Sequence, residues 1–191
     1  METDEKLMLA AGAGDLAAFE QIVLRHQQTA WRIACRFLGD PTEAEDVAQD
    51  AFLRILKAAP SYRPSARFQT FLFQVVSRLC LDRMRKKRPV CVETLPDVAG
   101  DGESPSAALA RAERDWQVRA ALEALPPNQR LAIVLRYDGG LSYQEIAAAM
   151  RITPKAVERL LARARTALSV RLAQSEETGE AREGDFRSQP V

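Results

Sequence analysis

The residues able to do chemistry in this chain are cations set at helical spacing, and the chemistry they suit is the neutralisation of phosphate. Arg78 to Arg88 holds six cations against one anion, Asp82, and ends in the dense run Arg83-Met84-Arg85-Lys86-Lys87-Arg88. A second such region spans Arg151 to Arg171, where Arg151, Lys155, Arg159, Arg163, Arg165 and Arg171 are opposed only by Glu158. Each region nets +5, yet the whole chain, with 27 basic and 26 acidic residues, nets +1. Such segregation sustains local positive fields on a neutral molecule, as a polyanionic partner requires. Nothing comparable points to catalysis. His26 is the only histidine, flanked by Arg25 and Gln27, and reads as a solvated or domain-edge residue. The sequence offers no phosphate-cradling glycine loop, metal-ligand spacing or nucleophile–base pair, so no enzyme, cofactor or metal site is expected.

Helices must position these cations. Outside one Pro/Gly/Ser/Asp-rich stretch, Pro89 to Ser106, apolar residues recur at the helical period, and 191 residues divide there into two small helical domains. Cys35, Cys80 and Cys91 lack CxxC spacing and read as reduced thiols. The N-terminus opens on Glu2, Asp4 and Glu5 rather than a basic leader, and no apolar run reaches the roughly 18 residues of a membrane span. A soluble, cytoplasmic protein with no membrane insertion of its own is expected.

The first helix runs from about Thr3 to Ala11, and Asp15 caps a second that reaches Leu38 before Gly39. Asp40-Pro41-Thr42-Glu43 combines a cap, a proline at the first helical position and a carboxylate three residues after the cap. The helix it starts runs to about Ala58. Its inner face is Ala44, Val47, Ala48, Ala51, Phe52, Ile55 and Leu56; at 100° per residue its outer face gathers Asp46, Gln49, Asp50, Leu53 and Lys57. Solvation and the helix dipole explain Glu43 and Glu45. For Asp50 and Leu53 a partner surface is an equal or better explanation. After the loop Ser61-Tyr62-Arg63-Pro64 a further helix starts near Ser65 or Arg67, with core stripe Phe68, Phe71, Leu72, Val75, Val76 and Leu79, and Phe73 off that stripe. Arg67, Gln74, Arg78 and Arg85 align on another face, cations beside aromatics, as tracking an unpaired strand requires.

Beyond the linker, 107–125 reads as one helix carrying Trp116, Val118, Ala121, Leu122 and Leu125, and Asn128 to Tyr137 as the next. Ser142 and Glu145 then form a capping box, Met150-Arg151-Ile152 makes a turn, and Thr153-Pro154 opens a helix with core stripe Val157, Leu160, Leu161, Ala164 and Leu168. This is helix-turn-helix spacing. It leaves Pro154, Lys155, Ala156 and Glu158 for base edges in a major groove and Arg159 and Arg163 for phosphates.

These residues resemble the extracytoplasmic-function sigma factors from about Asp15 to Leu172. DPTEAEDVAQDAFLRILKA is similar to that family's polymerase-binding helix, with Asp46, Gln49, Asp50 and Phe52 as its core, and ARFQTFLFQVVSRLCLDRMRKKR resembles its promoter-melting helix. RITPKAVERLLARARTAL is similar to the recognition helix of region four. The resemblance implies an all-α fold: region two over 1–88, a flexible acidic linker over 89–106, region four over 107–173 and a disordered tail over 174–191. It implies that Asp46, Gln49, Asp50, Phe52 and Leu53 bind core RNA polymerase through its β and β′ subunits. Arg63, Arg67, Gln74, Arg78, Arg83, Arg85, Lys86, Lys87 and Arg88 would hold the minus-ten strand, with a flipped base near the loop 61–67. Ser142, Thr153, Pro154, Lys155, Ala156, Glu158, Arg159 and Arg163 would hold the minus-thirty-five element, and an anti-sigma factor would cover the same surfaces. Four positions depart from the family: Phe71 where Trp is frequent, Arg78 for Asn, Arg151 for Gly and Glu158 for Lys. A positive φ at Arg151 would cost about 1 kcal/mol. The alternative is a helix-turn-helix regulator that binds duplex DNA without polymerase.

Overall fold

A computed structural model describes residues 2–86 and 115–186, with side chains to Gln174. Its helices are α1 (Asp4–Gly12), α2 (Leu16–Leu38), α3 (Pro41–Ala58), a 3-10 turn (Ala59–Ser61), α4 (Phe68–Lys86), α5 (115–123), α6 (Pro127–Tyr137), α7 (Tyr143–Met150) and α8 (Pro154–Phe186). No strand occurs among the described residues, and no helix among them is long and apolar enough to cross a membrane. Caps set most of the boundaries. Thr3 Oγ1 accepts from Lys6 N at 3.4 Å, Asp15 Oδ1 from Ala18 N at 3.0 Å and Asp40 Oδ1 from Glu43 N at 3.1 Å, each satisfying an amide that a helix start leaves unpaired. Gly39, in the left-handed region at φ 77, closes α2 and lets the chain reverse into α3.

The first four helices pack around Ile22, Ile33, Phe37, Ile55, Phe68 and Leu72, all fully buried. On α4 the inward sector differs from the sequence expectation. Phe73 is fully buried, with Val76 and Cys80 behind it, whereas Phe71 and Val75 are only half-buried. The cause is that α4 packs on two fronts, α2 and α3 on one side and α6 and α7 on the other. Phe71 and Val75 line the cleft on that second front. His26 is likewise not solvated. Its Nε2 lies 2.7 Å from Asp4 Oδ2 and its ring tilts against Phe68 with centroids 5.2 Å apart, because α1 folds back across α2. Burial pushes the Cys80 thiol up to about 12, and the half-buried Cys35 thiol shifts in the same direction. Neither is a reactive thiol at neutral pH. Cys91 lies outside the described residues.

Helices α6, α7 and α8 pack around Leu131, Leu135, Ile146, Val157 and Leu161, and the apolar core is continuous with that of the first half. Arg130 joins the two. It is 6% exposed on α6, donates from Nη1 to the Phe37 carbonyl at 3.0 Å and from Nη2 to the Glu123 carbonyl, and stacks 5.8 Å from the centroid of the Phe37 ring. Phe37 sits in the last turn of α2, where carbonyls lack helical partners and the dipole favours a cation. Asp138 adds peripheral contacts: its carboxylate lies 3.5 Å from Arg36 Nε, and its carbonyl accepts from Arg32 Nη2 at 3.4 Å. At the far end, α8 continues from Gln174 to Phe186, where composition predicted disorder. Glu, Ala and Arg are strong helix formers and extend a helix already nucleated.

Replacing Arg130 by methionine keeps apolar bulk but leaves two carbonyls without their cation. The expected result is a loss of about 3 kcal/mol or more in the urea-unfolding free energy, as for two hydrogen bonds from a charged donor. An unchanged unfolding midpoint would show that Arg130 contributes nothing to holding the halves together.

Candidate functional site

The outer face of α3 is where the helical period put it. Gln49 and Asp50 are exposed, Leu53 is 55% exposed, and the Asp46 carboxylate is 3.2 Å from Arg83 Nη1 on α4. Phe52 does not join them. It is buried edge-on against Phe19, ring centroids 6.5 Å apart, and forms the floor of a cleft of about 590 Å³ between α2 and α3. Val23, Gln27 and Trp31 of α2 make the opposite wall. The sequence reading passed over these α2 residues. The available signal was Trp31, a large aromatic on a helix of strongly amphipathic pattern; here it is partly buried at the core's edge. An exposed leucine beside an apolar-floored cleft with an acidic rim is suited to receiving a helix that carries apolar and basic side chains.

The α4 cations sit differently. Gln74, Arg78 and Arg85 line a cleft of about 820 Å³ whose other wall is Asn128, Met150 and Arg151 from the second half. Arg67 Nη1 stands 4.0 Å from Glu145 Oε1, so all four members of the stripe look toward α6 and α7. Arg83 pairs with Asp46, Arg85 with Asp82, and Arg63 Nη1 donates to the Tyr62 carbonyl at 3.0 Å. Lys86 is exposed; Lys87 and Arg88 lie outside the described residues.

In the helix-turn-helix, Glu145 N donates to Ser142 Oγ at 3.3 Å and Ser142 N to Glu145 Oε2 at 2.9 Å, which completes the capping box. The hydrogen bonds from Ser142 hold the Glu145 carboxyl below the usual carboxylate range. Thr153 Oγ1 accepts from Ala156 N at 3.2 Å and caps α8 in turn. Both hydroxyls are therefore engaged in their own helices. Pro154, Lys155, Glu158, Arg159 and Arg163 are exposed, whereas Ala156 is half-buried. Arg165 donates to the hydroxyls of Tyr137 and Tyr143, each at 3.2 Å, while Arg136 lies 5.5 Å from the Tyr143 ring centroid. This tyrosine pair ties α8 to α6 and α7, a link between residues 22 and 28 positions apart that local spacing does not show.

Two family descriptions match the chain: Sigma-70 region 2 over residues 22–90 and Sigma-70, region 4, over 115–168. The RNA polymerase sigma-H factor of Pseudomonas aeruginosa is 33% identical across 87% of this chain and 92% of its own length. The ECF RNA polymerase sigma factor SigW of Bacillus subtilis is 32% identical across 83% and 91%. Among solved structures, CnrH in complex with the cytosolic domain of CnrY superposes with a TM-score of 0.71 at 29% identity, covering 91% of this chain and 99% of that one. The sigma factor RpoE of Bartonella quintana, solved with the anti-sigma factor NepR, shares the fold with a TM-score of 0.66 at 22% identity.

The turn between α7 and α8 carries one strained residue. Arg151 sits at φ 54, ψ 46, the left-handed region, where a Cβ is disfavoured. Arg151→Gly is expected to raise stability by about 1 kcal/mol in thermal or urea unfolding. A destabilised variant would mean that the side chain contributes more than its backbone strain costs.

Proposed function

The chain belongs to the sigma-70 family of transcription initiation factors, in its extracytoplasmic-function branch, and on that premise we propose how three of its surfaces direct core RNA polymerase to specific promoters. The α3 face of Asp46, Gln49, Asp50 and Leu53 receives a helical element of the β′ subunit, with Phe52 shaping the cleft from below. The α4 stripe and the loop before it hold the unpaired minus-ten strand. Pro154, Lys155 and Glu158, at the start of α8, read base edges in the minus-thirty-five duplex, and Arg159 and Arg163 hold its phosphates. No catalytic step or cofactor belongs to the chain itself, and it works in the cytoplasm, where its polymerase is.

The observation that carries this reading is Leu53, exposed among acids at the mouth of the α2–α3 cleft. A regulator that binds duplex DNA alone has no use for that surface. The orientation of the α4 stripe adds a feature: α7 lies against α4, so a strand held by the stripe would run beside the second half. An anti-sigma factor that favours the closed arrangement would restrain the protein, and the likeness to CnrH, solved with its CnrY partner, supports such restraint.

The reading is tested by adding the purified protein to core polymerase and a promoter library and mapping start sites. Sequence-dependent initiation is expected; tight duplex binding with transcription unaffected would favour the polymerase-independent regulator. Asp50→Arg combined with Leu53→Asp should weaken core binding at least tenfold, about the contribution of one interface hot spot, without moving the unfolding midpoint, since both side chains are exposed. Unaltered affinity would remove the α3 assignment. Lys155→Ala should change base preference within the upstream element, whereas Arg163→Ala should weaken binding evenly and flatten the salt dependence by about one unit. Identical sequence profiles for the two variants would contradict the division between base and phosphate contacts.

A further inference from the structure

Helix α1 stands outside both segments matched by the family descriptions, and none of the surfaces above uses it. Yet Glu5 Oε1 accepts the Phe68 backbone N–H at 2.8 Å, from 63 residues away in sequence. Phe68 is the first residue of α4, so its amide is one of the four donors that a helix start leaves unpaired. Arg67, the residue before it, has no side-chain acceptor. The other long helices of this half are capped by their own preceding residues, Asp15 and Asp40. Helix α4 takes its cap from another helix, and that cap carries the negative charge favoured by the positive end of the dipole.

The rest of α1 is arranged to hold Glu5 in place. Asp4 accepts from Arg25 at 2.9 Å and pairs with His26 at 2.7 Å, tying the first turn to α2, while the His26 ring lies against Phe68. At the other end, a Cβ built on Gly12 would come within 2.5 Å of the Ala59 carbonyl oxygen, so the backbone of α1 is pressed onto the 3-10 turn. Leu7, Met8 and Ala11 between them are buried. One short helix therefore touches the chain both where it enters the 62–67 loop and where it leaves it. Arg63 and Arg67, assigned above to the minus-ten strand, project from that loop.

We infer that Glu5 is a positioning residue for strand capture: by capping α4 from across the bundle, it holds the 62–67 loop in the shape that receives the unpaired strand. The inference rests on the sigma-factor reading. It predicts an effect confined to one step, since Glu5 lies on neither the α3 face nor the recognition helix.

The test uses full-length protein assembled with core polymerase on a promoter carrying 2-aminopurine in its minus-ten element. Glu5→Ala keeps the buried anchors of α1 and should bind core within about twofold of wild type, yet open the promoter about fivefold to tenfold less, the scale expected from losing a cap. Glu5→Gln keeps an oxygen acceptor and should recover most of the opening. Unchanged opening by Glu5→Ala overturns the inference alone. Parallel losses in core binding and opening, unrelieved by Glu5→Gln, overturn it in favour of a general structural role. Wild-type protein that opens no promoter overturns the sigma assignment and this inference with it.

Discussion

Arg130, buried at the end of α2, is the contact through which two helical groups become one body. Its guanidinium meets the Phe37 carbonyl and ring from the first half and the Glu123 carbonyl from the second, and burial leaves it little water to fall back on. Helix α6 is set against α2 in this way, and α7 lies along α4. The α4 stripe then borders a cleft while Arg67, Arg78 and Arg85 stay exposed, and Arg67 comes within 4.0 Å of Glu145. The setting of the stripe beside the second half thus follows from a contact that none of its residues makes.

Charge segregation and helix packing answer separate needs. The net charge of +1 keeps long-range fields small overall, while the described cations of the two basic regions sit on the turn before α8 and on α4 and α8, helices whose inner faces are mainly apolar, with Thr70 and Ser77 the buried polar residues of α4. Each helix can therefore be held by burial and still present cations elsewhere. Helix α3 inverts the sign: acids outside, apolar residues within, and Leu53 as the one large apolar side chain its outer face leaves in water. A leucine so placed costs little in an isolated protein, because much of any folded surface is apolar anyway. Its neighbours give it meaning.

What the sequence disclosed was local. Caps at Asp15, Asp40, Ser142 and Thr153, the break at Gly39, and the faces of α3 and α8 all depend on residues within a turn or two of each other, where spacing determines geometry. The errors came from contacts across long separations. His26 meets Asp4 from 22 residues away, and Arg130 meets Phe37 from 93. Phe73 is buried because α4 has neighbours on two sides, which a one-sided helical wheel does not anticipate. Phe52, which spacing put on the inner face of α3, is buried there, although the resemblance counted it among the polymerase-binding residues, and Ala156 is half-buried. The cap of α4 was invisible for the same reason. Arg67 offers nothing at the position where local rules look, and the acceptor is on another helix.

Magnitudes decide which of these contacts give way. The ion pairs at the candidate surfaces, Asp46 with Arg83 and Arg67 with Glu145, have at least one partner more than half exposed, and pairs of that kind contribute about 0–1 kcal/mol. A partner offering a comparable charge can displace them at almost no cost in stability. Arg130 is of another kind: its hydrogen bonds are buried and charged, worth about 1.5–3 kcal/mol each where no water replaces them. Parting the halves therefore requires a partner that gains more than this from the exposed helices.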